Sequence, residues 1–262
     1  MKTKISVYII AYNEIDKIKD CIESVLWADE ILVIDSYSTD GTSEVAKSLG
    51  ARVIQVEFEG YGNLRNQAIS HCSFDWIFSL DSDERCTNEA QAEILEIINS
   101  PKYDIYKVPR KNFFMGRWIK YSGWYPNYRQ PQLFRKGSME YDLKPVHEGY
   151  ISYSEKNIGF LKSSIWQIPF KNIEEVMHKS NRYSSLGVSK LQDKDIKGGI
   201  IKALIHGFWA FLKHYIFKLG ILDGGPGLVI AIGNFEGTFY RYLKLYESQS
   251  NWVLPSLSNK RK

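Results

Sequence analysis

The sequence has few cysteines and no cysteine pattern. Its three cysteines, Cys21, Cys72 and Cys86, form no CxxC pair, and an odd number suits a disulfide framework poorly. We therefore expect free thiols in a reducing compartment. The start of the chain also lacks the long apolar run and small-residue cleavage site of a secretory signal peptide, so we expect a cytoplasmic protein.

Glycine-rich nucleotide-binding loops are missing as well. No GxGxxG follows the first apolar run, which disfavours an NAD-binding domain. A sugar-phosphate nucleotidyltransferase usually carries a Gly-rich loop with Lys or Arg at this place, where the chain has Tyr12, Asn13 and Glu14. This difference argues against a nucleotidyltransferase, but we keep that class as one alternative function. A non-catalytic, membrane-bound nucleotide-binding protein is the other alternative.

The first hundred residues alternate between strand and helix signals. Apolar, β-branched runs lie at 4–11, 30–35, 53–56 and 75–80, and segments with helical spacing follow them. Strands separated by single helices predict an α/β fold with a mainly parallel sheet flanked by helices. In such sheets, ligands bind beyond the carboxyl ends of the strands.

Polar clusters follow three of these four runs. They lie at 12–14, 35–40 and 81–84. Because the carboxyl ends of parallel strands meet at one edge of a sheet, the three clusters are expected to share a pocket. This shared location is the central prediction from the sequence.

Asp81 and Asp83 are the clearest candidates for metal binding. Two carboxylates two residues apart, just past a buried strand, can hold one divalent cation. Mg²⁺ or Mn²⁺ prefers oxygen ligands and leaves positions open for phosphate oxygens. The competing interpretation is an acidic turn that caps a helix beginning at Asn88.

Other polar residues near the predicted pocket have two interpretations each. Asp35 can accept hydrogen bonds from a uracil N–H or a ribose hydroxyl, or it can be a helix cap. For Asp40, helix capping alone is a sufficient explanation. Tyr12 can close over a base, or it can simply precede a capped helix. Arg65 can reach a diphosphate, or it can belong to a solvated helix face.

A later polar pair, His147 and Glu148, follows an aromatic-rich segment. Glu148 could remove the proton from an attacking hydroxyl, and His147 could complete a metal shell. An ordinary polar turn is the alternative. Asp142 is the rival base.

Charge is distributed unevenly along the chain. Residues 197–262 hold nine Lys or Arg against three acidic residues, a net charge of +6, whereas residues 1–196 have a net charge of −2. The apolar stretch 199–219 contains Lys202, His206 and Lys213, which fits a basic amphipathic helix on an anionic membrane better than a membrane span. Helices packed on the protein or in a dimer are the alternative, and nucleic acid is not an expected partner.

These motifs together resemble the family-2 glycosyltransferases of the GT-A fold. The resemblance covers about residues 4–150 and rests on the segments IIAYNE, DSYSTDGT and LDSDE in that order. The later segments QPQLFRKG and PVHE are similar to the bacterial lipopolysaccharide-core β-1,4-glucosyltransferase-like subgroup. We therefore expect a catalytic domain at 1–196, with a nucleotide-sugar half at 1–100 and an acceptor half at 101–196. Residues 197–262 would form a membrane-associating segment.

The resemblance implies an inverting, metal-dependent hexosyl transfer from a nucleotide sugar, with UDP-glucose as the candidate donor. The acceptor would be a lipopolysaccharide-core or other lipid-linked glycan on the inner face of the cytoplasmic membrane. The Gln-x-x-Arg-Trp motif of processive synthases is absent, so one sugar is expected rather than a polymer. The implied residues are Ala11, Tyr12, Glu14 and Asp35 for the nucleoside, Asp81 and Asp83 for nucleotide and Mg²⁺ or Mn²⁺, and Glu148 for the base.

Overall fold

The chain folds into two compact units. The first unit comprises Met1–Phe113 and Tyr125–Pro169, and the second comprises Phe114–Trp124 and Phe170–Lys262. The predicted boundary at residue 196 stays a prediction. The residues described by the computed structural model are 2–128, 130–143, 149–250 and 252.

The regular elements cover most of the described chain. The strands are β1 (Ile5–Ala11), β2 (Glu30–Asp35), β3 (Arg52–Gln55), β4 (Trp76–Asp81), β5 (Glu84–Arg85), β6 (Ile105–Lys107), β7 (Arg110–Phe114), β8 (Arg117–Trp118), β9 (Pro131–Arg135), β10 (Met139–Tyr141), β11 (Tyr150–Ser152), β12 (Gly159–Phe160) and β13 (Ile165–Gln167). The α-helices are α1 (Ile15–Glu23), α2 (Thr42–Ser48), α3 (Tyr61–His71), α4 (Asn88–Asn99), α5 (Ile173–Gln192), α6 (Ile200–Leu212) and α7 (Gly225–Ser248).

A seven-stranded, mainly parallel sheet forms the centre of the first unit. Its strand order is β12-β6-β9-β4-β1-β2-β3. The neighbours β4, β1, β2 and β3 are parallel, whereas β9 runs antiparallel to both β4 and β6. The predicted α/β architecture with a mainly parallel sheet is therefore confirmed.

The core of the first unit lies on both faces of this sheet. All seven residues of β1 are buried, and alternate side chains enter opposite apolar clusters because successive residues of a strand point to opposite faces. Ile9 packs in the cluster that contains residues of α1 and α4, whereas Tyr8 packs in the cluster that contains residues of α3. Full burial of an isoleucine side chain such as that of Ile9 contributes roughly 1.5–3 kcal/mol to the free energy of folding.

The second unit is mainly helical, and α7 packs against both α5 and α6. Small residues allow the close approach of α6 and α7: a Cβ on Gly207 would lie 3.1 Å from the ring of Phe235. The buried residues of α6 are Ala203 and Gly207. Large apolar side chains of the same helix, including Ile201, are exposed.

The long apolar stretch near the C-terminus is divided by a change of helix type. The stretch 199–219 was expected to continue as one helix, but α6 ends at Leu212 and a π-helical turn, Lys213–Phe217, follows it. Leu219 adopts a positive φ of 55°, which ends the helical path. No helix in the described part of the chain is both long and apolar enough to span a bilayer.

Candidate functional site

Three polar loops begin at one edge of the seven-stranded sheet. β1 lies between β2 and β4, and the register places Ala11 opposite Asp35 and Ile10 opposite Asp81. The loops after β1, β2 and β4 therefore leave the sheet side by side. The predicted convergence of these loops at the carboxyl edge is observed.

Hydrogen bonds join the loops after β1 and β2. The amide of Asn13 donates to the Ser38 hydroxyl at 2.8 Å, and the amide of Thr39 donates to the Asn13 side-chain oxygen at 2.9 Å. The amide of Glu14 donates to the Thr42 hydroxyl at 2.9 Å. The two loops thus form one rim of the candidate pocket.

Asp40 anchors this rim. One carboxylate oxygen accepts from the amide of Ile15 at 3.0 Å, and the other accepts from the amide of Thr42 at 3.0 Å. Ile15 and Thr42 are the first residues of α1 and α2, so Asp40 serves both helix starts. Desolvation raises the pKa of Asp40, but the hydrogen bonds from Thr42 and Ile15 outweigh it and lower the pKa below its ordinary value. The capping role considered for Asp40 accounts for its contacts.

Asp35, the last residue of β2, is fully buried. Its carboxylate accepts hydrogen bonds from the Ser43 hydroxyl at 2.8 Å, from the Ser38 amide at 3.1 Å and from the Ser38 hydroxyl. These bonds hold the start of the loop in place. Beside this anchor, the Tyr12 ring is 62% exposed at the rim, so an incoming planar group can reach it.

Asp81 pairs with the buried guanidinium of Arg65. Arg65 Nη2 lies 2.6 Å from Asp81 Oδ1, and Nη1 donates to the Ser79 hydroxyl at 3.2 Å. Burial lowers the pKa of Arg65, but the Asp81 carboxylate outweighs it and raises the pKa above its ordinary value, so the guanidinium stays charged. Arg65 is therefore not on a solvated helix face. It places a positive charge at the sheet edge beside the Asp81 carboxylate.

Asp83 lies in the turn between β4 and β5. The Gln167 side-chain amide donates to its carboxylate oxygens at 3.2 and 3.3 Å. The helix α4 is capped by Thr87, whose hydroxyl accepts from the Ala90 amide at 3.1 Å. The cap of α4 is thus Thr87 and not the acidic turn.

A buried network supports this turn from behind. Glu84 is fully buried, pairs with Arg110 Nε, and accepts from the Gln132 amide at 2.9 Å and from the Asp81 backbone amide at 3.0 Å. Burial raises the pKa of Glu84, and Arg110 opposes that shift. Removing either charge would leave the other buried without its partner, which typically costs about 3–5 kcal/mol.

The sequence interpretation did not single out Arg110 or Gln132. Arg110 begins β7 and Gln132 lies in β9, so both are distant in sequence from the turn that they support. A charged residue at a strand start and a Gln within an apolar strand were weak signals of buried polar contacts, because such groups rarely enter a core unpaired.

The oxygen chemistry of Asp81 and Asp83 fits a hard divalent cation. Carboxylate oxygens suit Mg²⁺ and Mn²⁺, which usually keep several positions for water or phosphate. Within the described ranges, no group of three or more His, Cys, Asp or Glu side chains is arranged to hold a metal. The predicted ligand His147 and the predicted base Glu148 lie outside the described residues.

The rival base, Asp142, lies close to the helix that carries Arg65. Asn66 exchanges two hydrogen bonds with the backbone of Tyr141, at 2.8 and 2.9 Å. A Cβ on Gly62 would lie only 2.0 Å from the Asp142 carbonyl oxygen, so only glycine permits this approach. The Asp142 carboxylate accepts from the Gly149 amide at 2.8 Å. Asp142 therefore packs against α3, the helix that also carries Arg65, the partner of Asp81.

Comparison with known proteins identifies relatives over most of the chain. The lipopolysaccharide core biosynthesis glycosyltransferase LpsC of Rhizobium meliloti is 28% identical over 272 residues, which cover 98% of this chain and 97% of LpsC. The glycosyltransferase RT0209 of Rickettsia typhi is 30% identical over 257 residues, which cover 93% of this chain and 87% of that protein. Both similarities cover more than nine-tenths of this chain.

Solved structures and a family model agree with these relatives. Residues 1–349 of TarS from S. aureus, solved in complex with UDP, match with a TM-score of 0.51 and 15% identity, covering 98% of this chain and 95% of that chain. This likeness concerns the fold. The model of Glycosyl transferase family 2 matches residues 6–159, more than half of the chain. The chain therefore belongs to glycosyl transferase family 2 and has the GT-A fold.

Proposed function

We propose that the protein transfers a single sugar from a UDP-linked donor, with glucose as the first candidate, to a lipopolysaccharide-core or other lipid-linked glycan acceptor. The observation that carries the proposal is the meeting of three polar loops at the carboxyl edge of the sheet, where Asp35 and Asp81 lie one strand apart on either side of β1. The similarity to LpsC supports the acceptor class.

The nucleoside would bind at the rim formed by the first two loops. The exposed Tyr12 ring can stack on the base, and the buried Ala11 at the end of β1 would contribute through its backbone. Glu14, which lies 3.2 Å from Lys17 Nζ, can accept from a ribose hydroxyl. Asp35 would exchange its Ser38 hydroxyl contact for a donor on the ligand. These are the roles that the family resemblance implies for the four residues.

The diphosphate would lie between the acidic turn and α3. Asp83 and His147 would ligate Mg²⁺ or Mn²⁺, Asp81 would hold the nucleotide side of the same site, and Arg65 would reach the phosphate oxygens. Such an ion would neutralise charge on the departing diphosphate. Arg65 already pairs with Asp81, so its guanidinium would share its hydrogen bonds between Asp81 and the phosphate oxygens. The divalent cation would offset the negative charge that the diphosphate adds.

Sugar transfer would occur in one inverting displacement. The base, Glu148 or its rival Asp142, takes the proton of the acceptor hydroxyl. The hydroxyl oxygen then forms a bond to the anomeric carbon from the face opposite the nucleotide, and the bond from that carbon to the diphosphate oxygen breaks. The proton ends on the carboxylate, and UDP leaves with the bonding electrons.

A lipid-linked acceptor would bring the reaction to the inner face of the cytoplasmic membrane. We propose residues 1–196 as the catalytic part and residues 197–262 as the peripheral, membrane-associating part. The exposed apolar side chains of α6 and the net charge of +6 over 197–262 support contact with an anionic bilayer.

The direct test is UDP release from a panel of UDP-sugars with Mn²⁺, using purified full-length protein. Slow release is expected from one preferred donor even without acceptor, and that donor should also raise the melting temperature in the presence of metal. The anomeric configuration of the transferred sugar, measured by NMR, should be inverted. Retention of configuration, or no donor that stabilises the protein, would refute the proposal.

A second comparison identifies the base. Glu148→Gln and Asp142→Asn each remove one candidate carboxylate with little change in size. The base variant should lose about 10²–10⁴-fold in transfer to acceptor while its affinity for UDP stays near that of the wild type. If both variants retained transfer, neither carboxylate would be the base.

A further inference from the structure

A cluster of two lysines and one histidine lies where α6 ends in the second unit. Lys213 and His214 begin the π-helical turn, and Lys218 follows it. Lys218 Nζ lies 3.5 Å from His214 Nε2, and His214 Nδ1 lies 2.9 Å from the carbonyl oxygen of Ala210. Because a carbonyl oxygen only accepts, Nδ1 carries the imidazole proton and Nε2 faces the ammonium group.

Neighbouring backbone holds the Lys218 side chain in place. Gly123 has a positive φ of 78°, and a Cβ at this position would lie 2.5 Å from Lys218 Nζ. The Ser122 amide donates to the Lys218 carbonyl oxygen at 2.9 Å, and the Ser122 hydroxyl donates to the buried Asp223 carboxylate at 2.8 Å. The ammonium group of Lys218 therefore occupies the space where any residue other than Gly123 would place its Cβ.

The charge of this cluster is not balanced by an ion pair. Among the residues that the structure describes, neither Lys213 nor Lys218 forms a salt bridge with a carboxylate. Burial lowers the pKa of Lys218, and Lys213 lowers it further. Burial also lowers the pKa of His214, and both lysines add to that effect while its contact with Ala210 opposes it. An anion bound here would relieve this repulsion.

Apolar side chains continue along the surface beside the cluster. Trp209 and Phe217 are 55% and 66% exposed, and their ring centroids are 5.6 Å apart, so the apolar face of α6 extends through the π-helical turn. The adjoining groove has a volume of about 630 Å³ and is lined by Leu204, Ile205, Phe208, Trp209, Leu212 and Phe235. Unpaired cations bordered by exposed aromatic and aliphatic side chains match the layered chemistry of a bilayer surface.

We propose that Lys213 and Lys218 bind the phosphate of an anionic phospholipid headgroup, with Trp209 and Phe217 inserted at the level of the acyl chains. His214 Nε2 accepts from Lys218 Nζ and positions that ammonium group. The proposal deepens the membrane contact of the proposed function and rests on it. A lipid phosphate is favoured over free phosphate because the same surface presents an apolar groove. The net charge of +6 over 197–262 complements an anionic membrane.

Vesicle flotation with the full-length protein tests the site. Vesicles of phosphatidylcholine with phosphatidylglycerol should float the wild type, and vesicles of phosphatidylcholine alone should float much less. Lys213→Gln/Lys218→Gln should weaken binding by about 25-fold, because each cation near an anionic surface contributes about fivefold. The matched control, Lys190→Gln/Lys194→Gln, removes the same charge from exposed positions of the second unit and should weaken it less than about threefold.

Equal losses in the two double variants would show general charge attraction and overturn the site, as would no loss in the first. The single variant Lys213→Gln guards against misfolding because Lys213 is exposed, and it should lose about fivefold. Phe217→Gln should weaken binding even with both lysines present. Unchanged binding by that variant would overturn the insertion.

Two further measurements separate the possible failures. Inorganic phosphate exchanged for chloride at constant ionic strength should leave the vesicle-bound fraction unchanged, and release by phosphate would reassign the site to the free ion. UDP release without vesicles should be the same in Lys213→Gln/Lys218→Gln as in the wild type. A wild type that binds vesicles but releases no UDP would refute the proposed function and leave the lipid site standing.

Discussion

The sheet of the first unit and helix α6 of the second unit bury different kinds of side chain. In the first unit large residues such as Trp76 and Phe78 lie inside, and β1 is buried along its whole length. In α6 of the second unit the buried residues are Ala203 and Gly207, while Ile201 is 74% exposed. A contiguous apolar surface of this kind marks an interaction site. The sheet of the first unit is therefore enclosed by its own core, whereas α6 of the second unit exposes apolar area.

Polar groups differ between the units in the same way. In the first unit, charged residues such as Glu84 and Arg110 are buried and paired, and they support a turn at one edge of the sheet. In the second unit Lys213 is exposed, and Lys218 lies over Gly123 without an ion pair to a described residue. Ion pairs inside a core fix the positions of the elements that carry them. Cations at a surface without an ion pair favour binding of an anion.

A pair of phenylalanines gives the largest expected contrast. Phe78→Ala, at a fully buried position in β4, should lower the free energy of unfolding by about 3–5 kcal/mol. Phe208→Ala, at a position that is 57% exposed in α6, should change it by less than about 0.5 kcal/mol. Denaturant unfolding of both variants measures the difference, and similar costs would contradict the comparison of the units.

Asp83 should affect chemistry rather than folding. Asp83→Ala is expected to lower UDP release by about 10²–10³-fold, because a group that stabilises the leaving diphosphate is lost. Glu44→Ala, at an exposed acidic position in α2, is the control and should release UDP at the wild-type rate. The melting temperatures of both variants should stay close to that of the wild type. Wild-type release by Asp83→Ala would remove the metal role.

Two glycines at the start of α7 test how closely the second unit is packed. A Cβ on Gly227 would lie 1.9 Å from the Gly220 carbonyl oxygen, whereas a Cβ on Gly225 would meet nothing within 4 Å. Gly227→Ala should therefore cost about 1–3 kcal/mol and speed hydrogen exchange in α7. Gly225→Ala should have little effect. Equal effects of the two substitutions would show that this contact is not needed.

The smallest expected effect is a pH dependence of the first unit. Partial burial raises the pKa of Glu30, but hydrogen bonds from Ser6, Ser73 and Arg52 outweigh it and lower the pKa from 4.5 to about 2. Its stabilising contribution, about 1 kcal/mol after solvent screening, is thus present above pH 4.5 and lost as the pH falls towards 2.

Unfolding free energies of Glu30→Gln and the wild type, measured across this pH range, should converge as the pH falls. Glu23→Gln, which changes an exposed carboxylate on α1, is the control. A constant difference between Glu30→Gln and the wild type at every pH would show that the ionised form of Glu30 is not what stabilises the fold.

Local sequence signals located most elements of the first unit. The helix expected to begin at Asn88 is α4, which does begin there, because its apolar spacing and the polar residues before it are both local. The position of β9 could not be predicted. It lies between β4 and β6 and runs antiparallel to both, and such pairing depends on residues far apart in the chain.

The sequence by itself determined the alternation of strands and helices, and with it the single sheet edge where Asp35 and Asp81 meet. Periodicity sets which face of an element is buried, and parallel connections place strand ends together. Only the tertiary structure decided the partners of these side chains: Ser38 and Ser43 for Asp35, and Arg65 for Asp81. The physical reason is that a hydrogen bond or an ion pair depends on distances in space of about 3 Å, which no local pattern encodes.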